Sequence, residues 1–81
     1  MRNSTFGQRL RAAREAAGLS RAELARQLER AGVRVDAHTV YRWERGAASP
    51  RYEAVMAAVA EALDTTPAWL RYGVAEAEKP A

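Results

Sequence analysis

The stretch VDAHTVYRWERG, residues 35–46, carries its own punctuation. Asp36 can accept a hydrogen bond at a helix N-cap, and Gly46 can take the left-handed conformation that ends a helix. The residues between them make about two and a half turns. On that helix Val40 and Trp43 share one side, while Ala37, His38, Tyr41, Arg42 and Arg45 share another. The first side reads as core. The second mixes small, aromatic and cationic groups, which suits contact with a polyanion.

Working outward, the same punctuation recurs. Thr5-x-x-Gln8 forms a capping-box pattern, Phe6, Leu10, Ala13 and Ala17 follow at helical spacing, and Gly18 is a stop. Ser20-x-x-Glu23 opens a second helix over 20–31 with Leu24, Ala25 and Leu28 on one face and Gly32 as its stop. Ser49-Pro50 predicts the start of a fourth helix, whose inward stripe is Tyr52, Val55, Met56, Val59, Ala60 and Leu63. Thr66-Pro67 opens a short fifth helix carrying Trp69 and Leu70, and Gly73 closes it. VRV at 33–35 is too short and too near a glycine to be a strand. The expected fold is all-α, five helices with short connections, over residues 1–73. Residues 74–81, VAEAEKPA, read as a polar, flexible tail.

At 81 residues the chain suits one domain. Many of its hydrophobic residues are alanine, which favours helix and adds little core volume. Bulk comes from Phe6, Leu10, Leu19, Leu24, Leu28, Val40, Trp43, Val55, Met56, Val59, Leu63, Trp69 and Leu70, enough for one small core. With no cysteine and one histidine, disulfides and a zinc-finger ligand set are excluded, and no cofactor is expected. No apolar run reaches the roughly 20 residues that cross a membrane. MRNSTFGQRLR lacks the apolar segment of a signal peptide, so a cytoplasmic protein is expected.

Charge is unevenly placed. Residues 1–51 carry eleven arginines against five acids, a balance of +6, and residues 52–81 carry −3. A basic front and an acidic back point to a polyanion on one side.

The segments GLSRAELARQL (18–28), TVYRWERG (39–46), SP (49–50) and AWLRYG (68–73) together resemble the phage repressor and Cro family of helix-turn-helix regulators, across residues 6–73. The resemblance implies a lambda-repressor-like five-helix domain, with the second and third helices as the helix-turn-helix. It implies that Ala37, His38, Tyr41 and Arg42 read base edges in the major groove of double-stranded DNA. It places Arg21, Thr39 and Arg45 at phosphates, and makes Arg14 and Glu44 an ion pair tying the first helix to the end of the third. It departs from the family in ERAGVRV, 29–35, which is longer than the usual tight turn. The expectation is a second helix extended by about one turn, followed by a loop carrying Arg34 toward a phosphate.

The residues themselves agree with that chemistry. Arg42 can pair with guanine O6 and N7, Ala37 offers a methyl to thymine, and His38 can donate to a base or a phosphate. Tyr41 can donate to a phosphate or pack on a sugar, or simply cover the helix flank. Arg26 and Arg30 read as solvated, and the direction of Arg9 and Arg11 is open. Trp69, Leu70 and Tyr72 are candidates for a homodimer contact, though the same side chains can close the core. No nucleophile beside a base, carboxylate pair or glycine-rich phosphate loop argues for an enzyme. The expected function is a transcriptional regulator, in first place a repressor. The alternative is an antitoxin or interaction subunit whose main partner is a protein, such as a toxin or an antirepressor.

Overall fold

A computed structural model describes residues 4–73, and the tail at 74–81 lies outside the described residues. Five helices follow one another: α1 Phe6–Ala16, α2 Arg21–Arg30, α3 Ala37–Arg45, α4 Glu53–Ala62 and α5 Pro67–Tyr72. Their starts follow from side-chain chemistry. Gln8 N donates to Thr5 Oγ1 and Thr5 N to Gln8 Oε1, closing the first capping box. Ser20 and Glu23 close the second in the same way, at 3.0 and 2.7 Å. Asp36 Oδ1 accepts from Thr39 N, and Thr66 Oγ1 from Trp69 N. Each satisfies amides that the first turn leaves without a carbonyl.

α4 starts differently from its expected signal. Ser49-Pro50 lies in the connection, the N-cap is Tyr52, and no side chain caps the helix. Tyr52 is not part of the inward stripe either. It is 69% exposed, because it precedes the first turn and so escapes the helix's own periodicity. Ala17, expected on the inner face of α1, is the C-cap and is exposed.

The longer connection between α2 and α3 is mainly loop. The helix ends at Arg30, and Val33 N donates to Leu28 O while Gly32 N donates to Glu29 O. That closing pattern needs a left-handed residue, and Gly32 supplies it at φ 90°. The chain then runs through half-buried Val33 and Val35, which pack against the core and leave Arg34 exposed between them. The same closure ends α4, but there Asp64 holds the left-handed position at φ 57°.

α3 packs on both α1 and α2, α4 backs α2, and α5 joins α1 to α4. Leu10, Leu24, Leu28, Val40, Val59 and Leu70 are fully buried at the centre, with Trp43, Met56 and Leu63 close around them. Gly7 sets the spacing of α1 and α3. A Cβ built there would fall 2.3 Å from the backbone oxygen of Glu44. Among the described residues no helix is long and apolar enough to cross a membrane.

Candidate nucleic-acid interface

The two sides of α3 separate as their periodicity requires. Val40 and Trp43 are buried, while His38, Tyr41, Arg42 and Arg45 are exposed and Ala37 is half-buried at the first turn. The outward face is therefore cationic and aromatic over more than two turns. Arg42 pairs with no carboxylate among the described residues, so its planar fork of donors is uncommitted. Arg34, on the loop before α3, is exposed as well.

One carboxylate organises the base of this face. Glu44 leaves only 3% of its side chain exposed and meets Arg14 Nε at 2.6 Å and Arg21 Nε at 2.9 Å. Arg14 also donates through Nη1 to Leu19 O, at the end of α1's closing turn. Three helices thus converge on one buried acid, with a net positive charge left over. Arg21 comes from the first turn of α2 and keeps about a third of its side chain exposed. Its Nε is spent on Glu44, which leaves two terminal amino groups for a further acceptor such as phosphate.

Tyr41 is engaged rather than free. Its hydroxyl accepts a hydrogen bond from Arg45 Nη1 at 2.8 Å. The guanidinium carbons of Arg21 and Arg45 lie 5.1 and 5.6 Å from its ring centroid, and the His38 ring lies 6.0 Å away. The hydrogen bond from Arg45 holds that guanidinium's pKa above its ordinary value.

Two expected residues stand elsewhere. Thr39 Oγ1 donates its hydrogen to Asp36 Oδ1 at 2.8 Å, so the hydroxyl has no donor left for a phosphate while the cap is intact. Leu70 has no exposed surface, because it is the centre of α5's buried side, and so offers nothing to a dimer contact. Trp69 is half-buried and packs against the core, whereas Tyr72 is 70% exposed. The Asp36 carboxyl is held below the usual carboxylate range, first by the amide of Thr39 and then by its hydroxyl.

Arg9, whose direction the sequence leaves open, and Gly7 are structural keys. Arg9 is buried, and its Nε and Nη2 donate to the carbonyls of Leu70 and Arg71 at 2.9 and 2.8 Å, while Nη1 donates to Ser4 O. It caps the C-terminal end of α5 from α1. The signal was available: Arg9 and Arg14 fall on the stripe defined by Phe6, Leu10 and Ala13, where a cation must be buried with partners. Gly7 also lies on that stripe, and a glycine inside a helix asks for a packing reason.

An exposed cationic third helix, positioned by a second helix through Glu44, defines a helix-turn-helix protein. The helix-turn-helix domain family matches residues 5–73, nearly the whole chain, and the protein belongs to that family, as a DNA-binding member of the repressor and Cro type. Among solved structures it is similar to the P22 c2 repressor protein, crystallised in complex with a synthetic operator in the presence of Tl+. That match has a TM-score of 0.75 and 27% identity, and covers 88% of this chain and 98% of the other. No curated protein matches the sequence.

Proposed function

We propose that the protein is a sequence-specific transcriptional regulator that acts by occupying an operator, in first place as a repressor, with no catalysis of its own. The observation that carries this reading is the face of α3, where Ala37, His38 and Arg42 are presented beside Arg45 with no covering element among the described residues. Its likeness in fold to a repressor solved on its operator supports the same reading. Arg42 selects guanine through O6 and N7, a pairing worth about 1–3 kcal/mol of discrimination. Ala37 and His38 complete the base contacts, while Arg21, Arg34 and Arg45 bind phosphate and supply salt-dependent affinity.

The regulator works in the cytoplasm as a homodimer on a palindromic site. The molecule measures 29 × 25 × 25 Å, so two copies side by side suit recognition helices about 34 Å apart, one turn of DNA. Tyr72, with the exposed edge of Trp69, is the surface that the second copy covers.

Footprinting on DNA from upstream of the protein's own gene tests this reading. Two protected half-sites one turn apart, with Arg42→Ala relaxing the preference for a single base pair in each, are expected. Uniform protection along the fragment, unaffected by Arg42→Ala, would count against it. A second reading, a subunit whose main partner is a protein, is favoured by one feature. Ala13, Ala16, Ala17, Ala62, Leu63 and Trp69, with Asp64 and Thr65 as polar lining, form a mainly apolar recess between α1 and the end of α4. A partner that binds there without changing the footprint would place both activities in one chain.

A further inference from the structure

Tyr41 stands in the middle of the outward face of α3, where a base reader is expected, yet its hydroxyl bonds to Arg45 and its ring meets Arg21, Arg45 and His38. Arg45 Nη1 donates to its hydroxyl at 2.8 Å, and the guanidinium carbon of Arg45 lies 5.6 Å from the ring centroid. Arg21 reaches the same ring from α2, at 5.1 Å, while its Nε is held by Glu44 at 2.9 Å. One ring therefore touches a guanidinium from the start of α2 and another from the end of α3. Those are the two ends of the helix-turn-helix that must grip the DNA backbone in one fixed register.

We infer that Tyr41 is a positioning residue, which fixes the guanidinium groups of Arg21 and Arg45 for phosphate and does not itself read a base. This rests on the DNA-binding reading above. A free arginine side chain loses much rotamer freedom when it is pinned to a phosphate, and that loss is subtracted from affinity. An arginine already laid against an aromatic face has made that sacrifice in the unbound protein. Glu44 holds one nitrogen of Arg21, the Tyr41 ring lies against its guanidinium, and among the described residues no hydrogen bond occupies the terminal amino groups. For Arg45 the hydroxyl does the work that Glu44 does for Arg21. The face is thereby divided: Ala37, His38 and Arg42 choose the sequence, and Tyr41 with its two arginines sets where the backbone lies.

The test uses the full chain, a duplex from upstream of its gene, and a scrambled duplex of equal length, with dissociation constants measured over a series of salt concentrations. Each phosphate contact contributes about 0.9 to the slope of log K against log salt, equivalent to roughly eightfold in affinity at 0.1 M. Tyr41→Leu is expected to weaken both duplexes by the same factor, about three- to tenfold, and to lower the slope. Tyr41→Phe keeps the ring and loses only the hydroxyl, so it should cost less. In an Arg45→Ala background Tyr41→Phe should have no further effect, because the hydroxyl then has no guanidinium to hold. Loss of discrimination between the duplexes with an unchanged slope overturns the inference and returns Tyr41 to base reading. So does an equal cost of Tyr41→Phe with and without Arg45, or binding that neither substitution alters. Absence of any binding by the unsubstituted protein overturns the DNA reading itself, and this inference with it.

Discussion

Gly7→Ala separates helix propensity from packing, because the two push in opposite directions. In an isolated helix the change would help by roughly 1 kcal/mol, since alanine loses less backbone freedom on folding. In this protein the new Cβ would lie 2.3 Å from the backbone oxygen of Glu44 and 2.8 Å from that of Trp43. Ordinary contact begins near 3.4 Å, so α1 and α3 must part by about 1 Å. Both obstacles are backbone, and no rotamer change can relieve them. Overpacking of this kind costs about 1–3 kcal/mol. The parting also stretches the 2.6 Å contact of Arg14 with Glu44, which puts the cost at the upper end. Set against the propensity gain, the net loss is about 2 kcal/mol, or roughly 8–16 °C in Tm for a domain of this size. Thermal unfolding followed by circular dichroism reads it directly. Because the displaced helix is α3, DNA affinity measured well below the lowered Tm should fall too. A Tm equal to or above that of the parent protein would refute the close approach of α1 and α3.

Three further outcomes are expected. Glu44→Ala leaves Arg14, whose side chain is 9% exposed, with only the distant, exposed carboxylate of Glu15 at 4.0 Å, and should cost about 3 kcal/mol in urea unfolding, the low end for a broken buried pair because Arg21 is partly solvated. Arg14→Met combined with Glu44→Met should recover much of that loss, whereas additive losses would mean that the pair is not a unit. Arg9→Met keeps the aliphatic stem but drops three charge-assisted bonds to carbonyls, so hydrogen exchange in α5 should quicken more than in α2, and equal protection would contradict the capping role. Asp36 has a depressed carboxyl pKa, so its share of stability is present above the unfolded-state pKa and is lost as pH falls through the folded-state value. Asp36→Asn still caps the helix and should flatten the acid limb of the Tm profile, and an unchanged limb would count against that linkage.

The local signals in the sequence were reliable wherever a single side chain acts on its own neighbourhood. Thr5, Ser20, Asp36 and Thr66 cap helices because their oxygens reach amides three residues on, a geometry that any helix start reproduces. Val40 and Trp43 are buried because period 3.6 leaves them no other side. Ser49-Pro50 misled because the same dipeptide suits a turn as well as a first turn, and only tertiary packing decides between them. What periodicity does not carry is identity across helices. That Arg21 and Arg14 share one carboxylate, that Tyr41 lies under two guanidiniums, and that Arg9 reaches α5 all depend on how α1, α2, α3 and α5 meet. Within the site, the exposed face of α3 was legible, while the commitments of Thr39 and Tyr41 within it were not.

Fluorescence anisotropy of the protein on the duplex upstream of its gene, beside a scrambled duplex of equal length at one stated salt concentration, tests the central claim most directly. The account predicts tight binding to the first and binding to the second weaker by at least about a thousandfold. Equal, weak binding to both would leave only the attraction of arginines for phosphate and would contradict a sequence-reading role for α3.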